Sequence, residues 1–84
     1  MLERGSVVIS LKGRDKGYML AVLSSEGRRA LVADGGERPV DRPKQKNIRH
    51  LEATGFILKD EEMRSSKALR RALRRVQNEI NGNF

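Results

Sequence analysis

Over the first 55 residues, apolar positions come in short runs separated by glycine-containing polar stretches. Val7, Val8 and Ile9 form a β-branched run, Tyr18 to Leu23 (YMLAVL) a second and Ala30 to Ala33 (ALVA) a third. The intervening stretches read GRDKG, SSEG and DGG. Runs this short, with turn residues in every gap, predict a small antiparallel barrel or sandwich and not a strand–helix–strand unit. Asp34-Gly35-Gly36 predicts a hairpin turn, because glycine reaches positive φ without steric cost. Pro39 and Pro43 each remove a backbone donor, so any strand in their neighbourhood is interrupted or lies at an edge. Asn47 to Leu51 (NIRHL) predicts a last short strand that closes the barrel, with Thr54-Gly55 breaking the chain after it.

The period then changes. Leu69, Leu73, Val76 and Ile80 share one face of a helix, with Ala72 beside them. Lys67, Arg70, Arg71, Arg74 and Arg75 cluster on the opposite face. Asp60, Glu61 and Glu62 come first and the arginines later, the order a helix dipole favours. Ser65 or Ser66 can cap the start, or Asp60 if the helix begins earlier. Asn81-Gly82-Asn83 is a stop signal. The helix is expected from about Glu61 or Ser66 to about Ile80. The expected organisation is mostly β: a barrel over residues 1–55, then an amphipathic, basic helical extension over 56–84.

Length and charge narrow what such a chain does. With 84 residues it makes one domain with a modest core, which suits a binding surface better than a deep cleft. Lys and Arg number 18 against 11 Asp and Glu, a net charge of +7, so polyanions are the natural partners: nucleic acid or an anionic membrane. The absence of cysteine excludes disulfides, thiolate metal sites and cysteine nucleophiles. His50 has no second histidine to help it hold a metal, so neither metal nor cofactor is expected. The N-terminal stretch lacks a signal-peptide pattern, and no run approaches the roughly 20 apolar residues of a membrane span. A soluble, cytoplasmic protein is expected. No constellation suggests catalysis: His50 is flanked by cations, and the carboxylates lie mostly in turns and at the helix start.

Three basic clusters remain. The first is KGRDKG, residues 12–17. A nucleotide-binding P-loop needs four residues between its glycines and a Gly-Lys-Ser/Thr opening a helix. Here three residues separate Gly13 from Gly17, and the Tyr18 run reads as strand, so that reading fails. Lys12, Arg14 and Lys16 project from one tight loop, with Asp15 placed to brace a cation or accept a backbone N–H. Residue types alone leave a plain turn and an anion contact level. The second cluster sets Arg38, Arg42, Lys44, Lys46 and Arg49 against Asp41 alone. It reads as a solvated loop or, in preference, as a phosphate-contacting ribbon whose prolines lower the entropy lost on binding. The third is the helix, where Arg70, Arg71, Arg74 and Arg75 repel one another at helical spacing, yet match phosphate oxygens in bidentate fashion. Such a helix also suits an anionic membrane surface, but its narrow apolar face lacks aromatics, which favours RNA. The aromatic residues are Tyr18, Phe56 and Phe84. Stacking is limited to Tyr18 or His50 at most, so phosphate contacts and RNA shape should dominate, with weak sequence preference.

Residues 4–23, RGSVVISLKGRDKGYMLAVL, resemble a KOW motif: a strand, a glycine-containing basic loop and a second strand. Gly5, Val7, Val8, Gly13, Asp15, Lys16, Gly17 and Val22 sit at the motif's positions. Residues 30–55 resemble the second half of the SH3-like barrel in an archaeal and eukaryotic large-subunit ribosomal protein. They are still more similar to small bacterial KOW domain-containing RNA-binding proteins. LVADG, the stretch Pro43, Lys44, Lys46, Asn47, and the pair His50-Leu51 carry this likeness. The resemblance implies an SH3-like barrel without catalytic activity, bound to RNA or the ribosome, with large-subunit rRNA the expected partner. It implies that Lys12, Arg14, Lys16 and Gly17 face RNA, together with Arg38, Arg42, Lys44, Lys46, Asn47, Arg49 and His50, while Tyr18 joins them from its residue type as a stacking candidate. Contacts from Arg70, Arg71, Arg74 and Arg75 rest on charge alone. The same fold also binds protein in transcription elongation factors. The rival expectation is therefore a protein-interaction module that docks on transcription or translation machinery through the barrel and through Leu69, Leu73, Val76 and Ile80.

Overall fold

A computed structural model describes residues 2–82; the stop-signal residue Asn83 and the aromatic Phe84 lie outside the described residues. The chain forms strands β1 (Ser6–Ser10), β2 (Met19–Glu26), β3 (Arg29–Ala33), β4 (Lys44–Asn47) and β5 (Leu51–Ile57), then helix α1 (Ser66–Ile80). Two 3-10 turns, Ile48–His50 and Asp60–Met63, precede β5 and α1. The strands make one antiparallel sheet in the order β4-β3-β2-β1-β5. The fold is thus mostly β with a single C-terminal helix.

The apolar runs are continuous because the inner strands are buried on both faces. Val8, Leu20, Val22, Ala30 and Val32 fill the interior of the sheet's curl with Leu51, Ile48 and Leu2. Val7, Ala21, Leu23 and Ala33 point the other way, against Leu58, Met63 and α1. The curl follows from connectivity. In a flat sheet, strands about 4.8 Å apart would hold β4 and β5 roughly 19 Å from each other. The 3-10 turn that joins them rises only about 6 Å over its three residues. The sheet must bend until its edges approach at this corner. There Leu11 N donates to His50 O (2.8 Å) and Ile48 N to Arg28 O (2.9 Å). No β4–β5 ladder forms among the described residues, so the sheet is barrel-like but unclosed.

Several local expectations change. Asn47 to Leu51 is not one strand: Asn47 ends β4 and Leu51 opens β5. Ile48–His50 is a 3-10 turn capped by Asn47, whose Oδ1 accepts from Arg49 N at 2.9 Å. Thr54-Gly55 does not end the strand but bulges it. The β1–β5 register shifts there, and Gly55 has φ +93°. Thr54 Oγ1 donates to Val7 O (2.8 Å), replacing a ladder bond. In SSEG only the glycine is in a turn: β2 runs through Glu26, which pairs with Arg29 across Gly27-Arg28. Asp34-Gly35-Gly36 is not a tight hairpin but the start of a loop over residues 34–43. Asp34 Oδ1 organises it by accepting from the amides of Gly36 (2.8 Å) and Arg38 (3.0 Å).

The helix begins at the later of the two expected starts. Ser65 is its cap, with Oγ accepting from Ala68 N at 3.1 Å. Leu69, Ala72, Leu73 and Val76 are buried against the sheet, each large aliphatic contributing about 1.5–3 kcal/mol. Ile80, on the same stripe, is 45% exposed. The loop after β3 is moored to the first helical turn, where Val40 N donates to Ser66 Oγ at 2.9 Å. Gly35 (φ +81°) passes so close that a Cβ there would collide with the Ser66 carbonyl and crowd the Arg70 amide.

Candidate nucleic-acid interface

The KGRDKG segment joins β1 to β2 and is held by its own backbone. Gly17 N donates to Ser10 O (2.8 Å), Tyr18 N to Asp15 O (2.8 Å) and Lys16 N to Gly13 O (3.2 Å). Gly13 and Gly17 have φ of +94° and +89°, which other residues adopt at a cost. The loop is also pinned from inside. Asp15 Oδ1 accepts from Lys46 Nζ at 2.7 Å and from Ser10 Oγ at 2.8 Å, and Lys46 Nζ also donates to Lys12 O at 3.0 Å. Both charged side chains are only 6% exposed. Burial alone would push the Asp15 carboxyl up. The hydrogen bonds from Lys46 and Ser10 and the charges of Lys46 and Lys44 outweigh it, so the carboxyl lies below its ordinary value of 3.8. Asp15 is therefore the expected brace. Lys46, expected on the RNA face, spends its charge inside the protein.

Two grooves flank this loop. On one side, Lys12, Arg29, Lys44, Asn47 and His50 surround a groove of about 380 Å³, with Lys46 also contributing to its wall. Four elements supply these residues: the β1–β2 loop, β3, β4 and the 3-10 turn before β5. No carboxylate lines it among the described residues. Register explains the meeting: Arg29 is the β3 partner of Asn47, and Val32 that of Lys44. Arg29 was not among the residues expected to face RNA. The signal for it was the pair Arg28-Arg29 directly after Gly27, two more cations at a turn. On the other side, Arg14, Tyr18 and Arg38 line a groove of about 480 Å³ with Asp15 and Glu37.

Neither groove takes in Lys16, Arg42 or Arg49, all exposed. Gly17 contributes its backbone conformation. No protein-family model matches the chain, and no curated protein matches it significantly.

The helical arginines divide. Arg71 and Arg75 share a shallow groove with Glu61 and Glu62. Arg75 pairs with Glu62 at 2.7 Å and approaches Glu79 at 3.7 Å. Glu62 also accepts from Lys59 N (2.9 Å). That bond outweighs the upward push of burial and, with Arg75, draws its carboxyl below the ordinary 4.5. Arg70 and Arg74 form no ion pair among the described residues. At about 100° per residue they lie on the flank of Ser66, the side to which the 34–43 loop is moored. Leu69, Leu73 and Val76 are occupied within the chain, leaving Ile80 as the exposed member of that stripe. Among the described residues no helix is long and apolar enough to cross a membrane, and no cluster of three or more His, Asp or Glu side chains is arranged to hold a metal.

Proposed function

We propose that the protein is a non-catalytic RNA-binding module of the KOW type, its curled sheet an SH3-like barrel, acting in the cytoplasm on folded RNA. Ribosomal RNA of the large subunit is the proposed partner, in keeping with the resemblance of residues 4–55. The observation that carries the reading is the convergence of Lys12, Arg29, Lys44 and His50 on one groove without a carboxylate. Lys12, Arg29 and Lys44, three cations from three elements with no ion pair among the described residues, repel one another, and a phosphate chain relieves that repulsion. Asn47 adds an amide that can donate to phosphate or sugar oxygens. The buried Asp15–Lys46 pair holds the loop in place, so little order has to be gained on binding. The rival reading, a protein-docking module using the barrel and the apolar helix face, loses most of that face, because Leu69, Leu73 and Val76 are buried against the sheet and only Ile80 of the stripe is exposed.

Salt dependence tests the proposal. Affinity for a structured RNA should fall steeply between low and moderate salt as condensed counterions are released. The triple variant Lys12→Ala, Arg29→Ala, Lys44→Ala should flatten the log–log slope by about two to three, one cation per lost phosphate contact. Its thermal melting should stay near that of the parent, since none of the three charges is paired among the described residues. Affinity that is flat in salt, or unchanged in the triple variant, would overturn the reading.

A further inference from the structure

The two grooves differ in chemistry. The groove of Lys12, Arg29 and Lys44 is all cation and amide, fit for a phosphate chain. The groove beyond the loop combines two guanidinium groups, an aromatic ring and two carboxylates. A phosphate track gains nothing from carboxylates in its wall. A nucleotide with its base turned inward does, because a base edge carries N–H donors while its phosphate stays outside.

Resting on the RNA-binding reading, we propose that the groove of Arg14, Tyr18, Glu37 and Arg38 captures one unpaired guanine of the bound RNA. Its volume of about 480 Å³ falls within the roughly 300–1,000 Å³ of small-ligand sites. Tyr18, 45% exposed, offers the stacking platform. Glu37 is exposed, and its carboxylate offers two acceptor oxygens and no donor. Guanine alone among the four RNA bases sets two adjacent donors, N1–H and the N2 amino group, on its Watson–Crick edge. A carboxylate meets such a pair with two parallel hydrogen bonds. In a duplex that edge is consumed by cytosine, so the base must come from a bulge or loop. Arg14 and Arg38 remain for the flanking phosphates. The Asp15 carboxylate in the wall is already matched by Lys46 Nζ at 2.7 Å, so Glu37 is the acceptor left for the base.

The test uses the full chain and RNA hairpins that share one stem and differ in a single bulged nucleotide: G, A, U, C or none. Fluorescence anisotropy at one fixed salt concentration should show the G bulge bound about tenfold more tightly than the others, the size expected of one bidentate base contact. Glu37→Gln, which keeps size but replaces one acceptor by a donor, should erase the preference without weakening the other hairpins. Tyr18→Leu should weaken the G-bulge complex by about tenfold through lost stacking. All five hairpins bound within twofold of one another, with normal salt dependence, would overturn the guanine site and leave RNA binding standing. Failure of every hairpin to bind at low salt would overturn RNA binding itself, and the guanine site with it.

Discussion

Asp15 and Lys46 lie 31 residues apart in the chain and meet at 2.7 Å. Two such charges are costly to bury, and losing one partner leaves the other uncompensated. Lys46→Met or Asp15→Ala alone should therefore destabilise the fold by about 3–5 kcal/mol, measured by urea unfolding. The pair also sets a pH dependence. The carboxyls of Asp15 and Glu62 lie below their ordinary 3.8 and 4.5 in the folded protein. On acidification the unfolded chain therefore takes up protons first. The stability these carboxylates supply is complete above their ordinary values and is lost as pH falls through the folded ones. The melting temperature should hold from neutral pH to about pH 5 and decline below it. Glu62→Gln should show a smaller decline, since one of the two linked carboxyls is gone. None of this pairing was legible in the sequence. Asp15 reads as a brace from its place in a tight turn, but its partner comes from a strand whose register the turn does not reveal. Lys46 therefore reads as one more surface cation.

Among the elements, β1, β2, β3 and α1 were legible because burial leaves a plain mark: β-branched runs in the strands, a helical stripe in α1. The segment from β4 to β5 was not. Lys44–Asn47 is an edge strand of four polar residues, held by its ladder to β3 and carrying no apolar alternation. Thr54-Gly55 has the composition of a break and the structure of a bulge, because the Thr54 hydroxyl takes over a hydrogen bond that a regular strand would make. Asp34-Gly35-Gly36 misleads for a related reason: Gly35 serves a close approach to α1 as well as a turn. Gly35→Ala should accordingly cost about 2 kcal/mol or more, since it combines a positive-φ penalty with a clash against the helix backbone. Ser65→Ala should cost about 1 kcal/mol through the lost cap. Chemical denaturation of the two variants would rank the effects; of the two sites, only Gly35 lies on the loop carrying Glu37 and Arg38, which the Val40–Ser66 hydrogen bond also moors to the helix.

For the molecule as a whole, α1 is structural before it is anything else. It covers Val7, Ala21, Leu23 and Ala33 on the face of the sheet that the curl leaves outside. A chain cut after Leu58 should expose that face, lose its cooperative melt and bind a hydrophobic dye. The unclosed sheet has a further consequence. Its outer strands present unpaired backbone groups along two rims, each a template on which another extended chain can zip. Both rims carry obstacles. The β5 rim is interrupted by the Thr54-Gly55 bulge. The β4 rim is four residues long, is entered through Pro43 and carries Lys44. Lys44 thus hinders identical copies from joining edge to edge. On the proposed RNA-binding reading, an RNA strand that neutralised this lysine would also cover the rim, whereas removing the charge without RNA leaves that rim bare. The triple alanine variant should therefore lose solubility before it loses stability.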